Sequence, residues 1–350
     1  MNNSRLGQPQ TRSGLERGDE AAATSVGRKA GSIPQTSIRS LLSRVTRESG
    51  LGVDARSLFL ALNERVWKRL PIVLQHSRTM TRYGAFLHKL VKAGSPRRQY
   101  HGTFFFRNRP ELELLRSLAI QRPAGADLKI AVVACSNGAE VYSILWILRS
   151  ARPDLKITVE AIDISEDIIE LAKAGVYSLT GYEMVHSPIF ERLTNEEMDA
   201  MFDRVGNQVT IKPWLQEGIH WRVCNAADPE MVQRLGLQDI VVANKFLCHM
   251  RPEDAESCLG NLSHLARPGG YVFVSGVDLD VRVKVALRLG WTPMLELLQE
   301  MHDGDPSVRR DWPLRYWGLE PFVRDRPDWE YRYASAFRTK IPPSTRSHTL

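Results

Sequence analysis

The sequence predicts an α/β fold: a mainly parallel sheet covered on both faces by helices, preceded by a small all-α domain. Three observations carry this. From Lys129 onward, short apolar runs alternate with segments of helical periodicity, the pattern of βαβ units. Several of those runs, such as "KIAVVAC" and "DIVVANKFL", are continuously apolar rather than alternating, as strands buried on both faces are. Before them, residues 38–93 repeat apolar residues at three- and four-residue spacing, the mark of amphipathic helices.

Residues 1–37 are rich in Ser, Gly, Arg and Gln and nearly lack large apolar side chains. Such a segment cannot bury enough surface to offset its ordering entropy, so a disordered tail is expected. Three helices follow, in "IRSLLSRVTRESG", "DARSLFLALNERVWKRL" and "MTRYGAFLHKLVKAG", forming a helical domain over 38–100. Asp54 suits an N-cap, and Gly50 and Gly94 suit helix ends. In "HGTFFFRNRPELELLRSLAI" a helix is expected to begin near Pro110. At least two rings of Phe104–Phe106 belong to the core. Then come strand and helix in "KIAVVAC" and "AEVYSILWILRSA", in "KITVEAID" and "EDIIELAKAGVY", and in "DIVVANKFL" and "PEDAESCLGNLSHLA". The strand "GYVFVSG", a long helix within 281–301 and a late strand in "WEYRYASAFRT" complete the order. This second domain is expected over 101–340, with an extension at 303–328 and a flexible tail at 341–350.

The 350 residues are 43% hydrophobic and 25% charged, enough for a sizeable core. The net charge of +7 and pI near 9.3 permit an acidic partner. Both signs are interspersed, so the dense basic stripe of a nucleic-acid binder is missing and none is expected as a partner. The basic segment "NERVWKRL" is either a solvated face or a dock for an acidic protein partner of the N-terminal helices. No apolar run is long enough to span a bilayer and no secretory signal begins the chain, which points to the cytoplasm. Cys135, Cys224, Cys248 and Cys258 form no Cys-x-x-Cys pair and read as buried free thiols, so no metal is expected.

In an open α/β sheet, ligands sit at the carboxyl ends of the strands. The polar residues expected there are Ser136, Asn137, Gly138 and Glu140, then Asp163, then Asn225 and Asp228, then Asn244, Lys245 and His249. Small residues in "ACSNGAE" let backbone approach a ligand. An acid one βαβ unit later, Asp163, is placed to take ribose hydroxyls. Without G-x-G-x-x-G a pyrophosphate is disfavoured. A nucleoside lacking phosphates fits better; S-adenosyl-L-methionine is one, with Glu140 facing its positive amino end. Each residue also has a purely structural reading. Asp163 and Asn225 could cap a helix or turn, Glu140 could serve a helix dipole, and Arg107 could be a surface ion-pair partner. His249 could be a hydrogen-bonded core residue, and Lys245 could lie solvated along apolar surface.

The motifs "TFFFRN", "ACSNGAEVYS", "AIDIS" with "LAKAGVY", "CNAAD" and "LARPGGYVFVSG", in this order, resemble the CheR-type chemotaxis-receptor glutamate methyltransferase family from about residue 38 to 280. The resemblance implies a class I methyltransferase Rossmann-like sheet of seven strands with a small all-α N-terminal domain, and S-adenosyl-L-methionine as cofactor. It implies that Thr103 and Arg107 close over cofactor and reactive centre, that Glu140 meets the methionyl amino group, that Asp163 takes the ribose hydroxyls, and that Asn225 and Ala226 lie beside adenine. Ser136, Gly138 and Asn244 join the expected cofactor-binding set, with Arg107, Lys245 and His249 as expected catalytic residues. The family's C-R-N-V-L-I-Y-F is "ANKFLCHM" here, with Asn244 in place of Arg, Lys245 in place of Asn and His249 in place of Tyr. Ala139 replaces the first acid of E-E-P and Val141 its Pro. "RRDWPLRYWGLEPFVRDRPDW" has no counterpart in that family, and its Trp312, Tyr316, Trp317 and Phe322 are expected to wall an acceptor pocket.

The expected function is therefore S-adenosylmethionine-dependent O-methylation of an acceptor, a carboxylate before others, by an enzyme divergent from chemoreceptor methyltransferases. The acceptor is either a protein carboxylate or a small molecule. Arg107 would clamp a carboxylate; a hydroxyl would need His249 as base. The alternatives are a small-molecule O- or N-methyltransferase of a biosynthetic or signalling pathway, and a cofactor-binding module that acts by contact without turnover.

Overall fold

The computed structural model of the protein describes residues 55–75, 77–98, 100–180, 189–305 and 311–341. The expected tail at 1–37, the first helical pattern at 38–50, the Asp54 cap and 342–350 lie outside these residues. Nearly all described residues belong to one compact unit, Phe59–Leu350.

The helical opening comprises α1 (Ala55–Trp67), α2 (Ile72–Gln75) and α3 (Arg78–Gly94). Ser77 caps α3, its side chain accepting from the Met80 N–H, a bond that satisfies one of the orphan donors of a first turn. Helix α4 (Arg109–Ile120) begins at the expected place, with Asn108 as N-cap and Pro110 in the first turn. Thereafter run β1 (Asp127–Val133), α5 (Ala139–Ala151), β2 (Lys156–Asp163), α6 (Glu166–Ala174), β3 (Val176–Ser178), α7 (Asn195–Met201), β4 (Phe202–Val205) and β5 (Gln208–Ile211). They are followed by α8 (Pro213–Gln216), β6 (Ile219–Val223), α9 (Met231–Leu235), β7 (Gln238–Asn244), α10 (Pro252–Leu265) and β8 (Ala266–Ser275). Last come α11 (Leu279–Leu289), β9 (Thr292–Pro293), α12 (Leu298–Asp303), α13 (Trp329–Tyr333) and β10 (Ala336–Arg338).

The main sheet has seven strands in the order β6-β2-β1-β7-β8-β10-β9. The first five are mutually parallel, and β10 runs antiparallel to both β8 and β9. Successive strand residues point to opposite faces, and both faces are buried. Ile130, Val132, Ile240, Val242 and Phe273 enter one core with Leu115, Ile144 and Leu145. Ala131, Val133, Val241, Ala243, Val272 and Val274 enter a second with Leu259, Leu262 and Val285. Burying each Leu or Ile is worth about 1.5–3 kcal/mol, so the continuously apolar strands are what hold the two helix layers in place. The four cysteines are free and buried, and no helix among the described residues is long and apolar enough to cross a membrane.

Three expectations are corrected. No single helix fills 281–301: α11 ends at Gly290, whose left-handed conformation caps it, and Trp291 is buried with its Nε1 donating to Ser263 Oγ at 2.9 Å. "WEYRYASAFRT" is not one strand, since α13 occupies its first half and only Ala336–Arg338 pairs. The helix in "EDIIELAKAGVY" stops at Gly175, and Val176–Ser178 becomes a strand. That strand belongs to a second, antiparallel sheet of order β3-β5-β4, which the alternation of strand and helix gave no reason to expect.

This small sheet anchors two loops. Tyr177 and Phe202 on it, with Phe190, enclose the ring of Phe105 at centroid distances of 5.3, 5.1 and 5.5 Å. The Tyr177 hydroxyl donates to the Asn137 carbonyl at 2.7 Å. The loop before α4 and the turn after β1 are thus pinned to the same aromatic cluster.

Gly276, after β8, has φ +61°, and a Cβ built on it would stand 2.7 Å from Lys245 Cα. Gly276→Ala is predicted to lower unfolding free energy by about 1–3 kcal/mol. Urea unfolding checks this, and an unchanged midpoint would contradict the packing.

Candidate functional site

The strand order reverses between β1 and β7, and a cleft of about 300 Å³ opens at that switch point. Its wall is built from the carboxyl ends of four strands. β1 supplies Ala134, Ser136 and, from the first turn of α5, Glu140; β2 supplies Asp163 and Ile164. β6 supplies Cys224, Asn225 and Ala226, and β7 supplies Asn244, Lys245, Phe246, His249 and Met250. The loop before α4 covers it with Tyr100, His101, Gly102, Thr103 and Arg107, and Arg97 lies beside them.

The turn after β1 bends sharply. Ala134 and Ser136 have φ of +56° and +51°, uncommon for residues with a side chain. What holds this strained shape is Asp163: its Oδ2 accepts from the Ser136 N–H at 3.0 Å, and its Oδ1 accepts from the Ser165 N–H at 3.2 Å. The carboxylate is buried, yet each oxygen uses only one of its lone pairs in these bonds. Ser136 Oγ donates to the His101 carbonyl at 2.6 Å, tying the covering loop down.

Of the expected site residues, Thr103, Arg107, Ser136, Glu140, Asp163, Asn225, Ala226, Asn244, Lys245 and His249 all line this one cleft. Gly138 does not. A Cβ there would meet Trp221, Tyr142 and Ala172 at 3.0–3.2 Å, and its φ of +85° makes it a turn-former behind the wall. Asn225 Oδ1 accepts from the Ala227 N–H at 3.0 Å, the turn-capping role, while the residue stays exposed. The Lys245 ammonium is paired with Asp305.

His249 packs on Tyr100 and Trp317 at 6.2 and 5.9 Å between ring centroids, and burial lowers its pKa. Trp317 alone of the four extension aromatics reaches rings of the cleft. Trp312 packs on Trp67 at 5.7 Å, Tyr316 on His88 at 5.8 Å, and Phe322 on Tyr333 at 4.7 Å. Trp312 and Tyr316 thus pack on the helical opening and Phe322 on α13, a correction to the expectation that all four wall an acceptor pocket.

Arg107 Nη2 donates to the Gly102 carbonyl at 2.7 Å, and the guanidinium lies over the Phe104 ring at 4.6 Å. Its Nε is buried without a hydrogen-bond partner among the described residues.

Sequence reasoning missed Glu111. It sits in the first turn of α4, is buried, and takes a hydrogen bond at 2.6 Å from the Asn244 Nδ2, which also donates to Glu140 at 2.8 Å. Asn244 Oδ1 accepts from both the N–H and the hydroxyl of Ser275 at 3.0 and 2.7 Å, which fixes the amide's orientation. Burial, and then the neighbouring Glu140, push the Glu111 pKa up to about 8. The helix N-terminus opposes this by about 0.3–1 kcal/mol, less than one pKa unit, and loses. Burial also raises Glu140. The only sequence signal was a Glu where the helical pattern of α4 faces inward.

A family model described as CheR methyltransferase, SAM binding domain, matches residues 101–279, just over half of the chain. The chain belongs to this family. Residues 101–279 are thus an S-adenosylmethionine-dependent methyltransferase domain. The "Probable biofilm formation methyltransferase WspC" of Pseudomonas aeruginosa is 28% identical over 51% of this chain and 42% of its own length. The "Chemotaxis protein methyltransferase 1" of the same organism is 27% identical over 50% of this chain and 65% of its own. The chain thus spans less than two thirds of these curated relatives. Among solved structures, magnesium protoporphyrin IX methyltransferase from Synechocystis PCC 6803 with bound SAM shares 17% identity over 53% of this chain and 71% of that chain, at a TM-score of 0.30, too loose a likeness to argue from.

Two outcomes are predicted. Asp163→Ala is expected to weaken S-adenosylhomocysteine binding about tenfold or more by calorimetry, since hydrogen bonds to a charged group are worth about 1.5–3 kcal/mol; equal affinity would contradict the site. The second concerns stability. An acid whose pKa is raised on folding holds more protons in the native state, so stability falls as pH climbs above its ordinary value of 4.5 towards about 8. Urea unfolding at stepped pH is expected to show a steeper decline across that window for wild type than for Glu111→Gln; parallel profiles would contradict it.

Proposed function

We propose that the protein is an S-adenosylmethionine-dependent O-methyltransferase whose acceptor is a carboxylate other than that of a chemoreceptor. The guanidinium of Arg107 carries this reading. It belongs to a residue of the cleft wall, and a guanidinium presents two parallel donors that match a carboxylate.

The donor set fits the cofactor. Asp163 has lone pairs left for a ribose diol, Glu140 is a half-buried acid suited to an ammonium, and Ile164, Phe246 and Met250 give apolar surface for a flat base. The bound sulfonium supplies the methyl group. The chain's own residues bind, orient and exclude water. A carboxylate acceptor is already ionised at pH 7 and needs no base, so positioning by Arg107 is the main contribution. Thr103 is buried at the cleft wall beside it. His249 packs on Tyr100 and Trp317 in that wall, and burial lowers its pKa.

A small-molecule carboxylate is the narrower reading, and Trp317 favours it. This residue of the extension closes the wall behind Tyr100 and His249 at 5.8 and 5.9 Å, giving a flat, ring-lined flank.

Incubating the protein with methyl-labelled cofactor and fractionated lysate is predicted to place label in a base-labile ester that releases methanol. Arg107→Lys is expected to cut transfer about tenfold to a hundredfold while leaving S-adenosylhomocysteine affinity within about threefold. Base-stable label would overturn the carboxylate, label on receptor protein would overturn the divergent acceptor, and tight binding with no transfer to any fraction would favour the contact module.

A further inference from the structure

At the base of the cleft Glu111, a buried acid that the proposed methyl transfer does not use, is tied to Glu140, which it does use. One amide nitrogen, Asn244 Nδ2, donates to Glu111 at 2.6 Å and to Glu140 at 2.8 Å. Glu111 is buried, and Glu140 is enclosed except where it meets the cleft. The amide spends both its hydrogens on them and its oxygen on Ser275, so it is saturated and carries no charge.

Among the described residues, the charged groups facing this pair are few. Lys245 and Asp305 face Glu111, and Arg107 and Lys245 face Glu140. The Cys135 thiol also lies near Glu140, and burial pushes it up, so it stays neutral. Lys245 and Asp305 are themselves an ion pair. The cluster therefore holds three carboxyls, Glu111, Glu140 and Asp305, against two cations, Lys245 and Arg107. Taken fully ionised it is one negative charge in excess, in a place largely shielded from water, and such excess is relieved by taking up a proton.

We propose that Glu111 is the proton-exchanging partner of Glu140: the two acids hold one proton between them across the Asn244 amide, and arrival of the cofactor's ammonium at Glu140 replaces that proton, which leaves to solvent. This rests on the reading of Glu140 as the ammonium's partner. No bond is made or broken except the O–H of one carboxyl; one positive charge enters as another departs, and the cluster stays neutral throughout. Glu111 acts through Asn244 and Glu140, and is a positioning residue rather than a catalytic one. The raised pKa of Glu111 agrees with this arrangement. Binding then tightens as pH rises, because the empty site loses its competing proton.

The test is calorimetric titration of the full chain with S-adenosylhomocysteine, which carries the ammonium but transfers nothing. It is run in buffers of differing ionisation enthalpy between about pH 6.5 and 8, the range just below the raised pKa. Wild type is expected to release close to one proton per cofactor bound at the lower end, with affinity rising about tenfold per pH unit. Glu111→Gln keeps the hydrogen bond from Asn244 and is expected to release none, its affinity changing less than about twofold over the range. Wild-type binding without proton exchange would overturn the proposal while leaving the cofactor site standing. Undiminished release by Glu111→Gln would overturn it too, by placing the proton elsewhere. Failure of the wild type to bind at all would take down the cofactor reading and this proposal with it.

Discussion

The N–H of Ser136 reaches across to the carboxylate of Asp163 at 3.0 Å, and the placement of the whole cleft depends on that bond. It joins the ends of two adjacent parallel strands whose register is set from Asp127 opposite Lys156 to Val133 opposite Ile162. A turn with Ala134 and Ser136 at positive φ does not persist unless its surroundings over-determine it. Here a buried acid does so from one side, and the aromatic cluster around Phe105 and Tyr177 does so from the other. The same carboxylate keeps free lone pairs facing the cleft, so the group that shapes the turn is also the group most suited to a diol.

A second constraint is electrostatic. The sheet brings Glu140 and Asn244 to the switch point from β1 and β7, and α4 brings Glu111 to the same spot. The CheR-type pattern has an Arg where Asn244 stands. A neutral amide cannot offset two acids, and the nearest ammonium, that of Lys245, is taken by Asp305. The balance of charge in this chain is therefore met by protonation, and the covering loop retains Arg107. Cofactor and acceptor ends of the cleft are thus tuned by opposite circumstances, an excess of carboxyl on one side and a guanidinium on the other.

Much of this was legible in the sequence, for identifiable reasons. The mainly parallel sheet followed from apolar runs that alternate with helical periodicity, the pattern of strands buried on both faces, while its seven strands were what the family resemblance implied. Asp163 and the turn near Asn137 were legible because strand ends and crossovers have fixed lengths. Three kinds of feature were not. The β3-β5-β4 sheet is made of strands of three and four residues, too short to carry a period. The break at Gly290 was hidden by apolar residues on either side that fit a helix equally well. Glu111 was hidden because periodicity marks an inward-facing position without saying whether its neighbour is a leucine or an amide from a strand 133 residues away. The extension aromatics misled in the opposite way: their composition suggested a pocket, whereas Trp312 and Tyr316 pack on the helical opening and Phe322 on α12 and α13.

A crystal structure of the chain with S-adenosylhomocysteine measures the central claim most directly. The account places both ribose hydroxyls within about 3 Å of the Asp163 oxygens and the amino group against Glu140, with the Ser136 to Asp163 bond intact. A nucleoside lodged away from the β1 and β2 strand ends, or an amino end turned from Glu140, would contradict it.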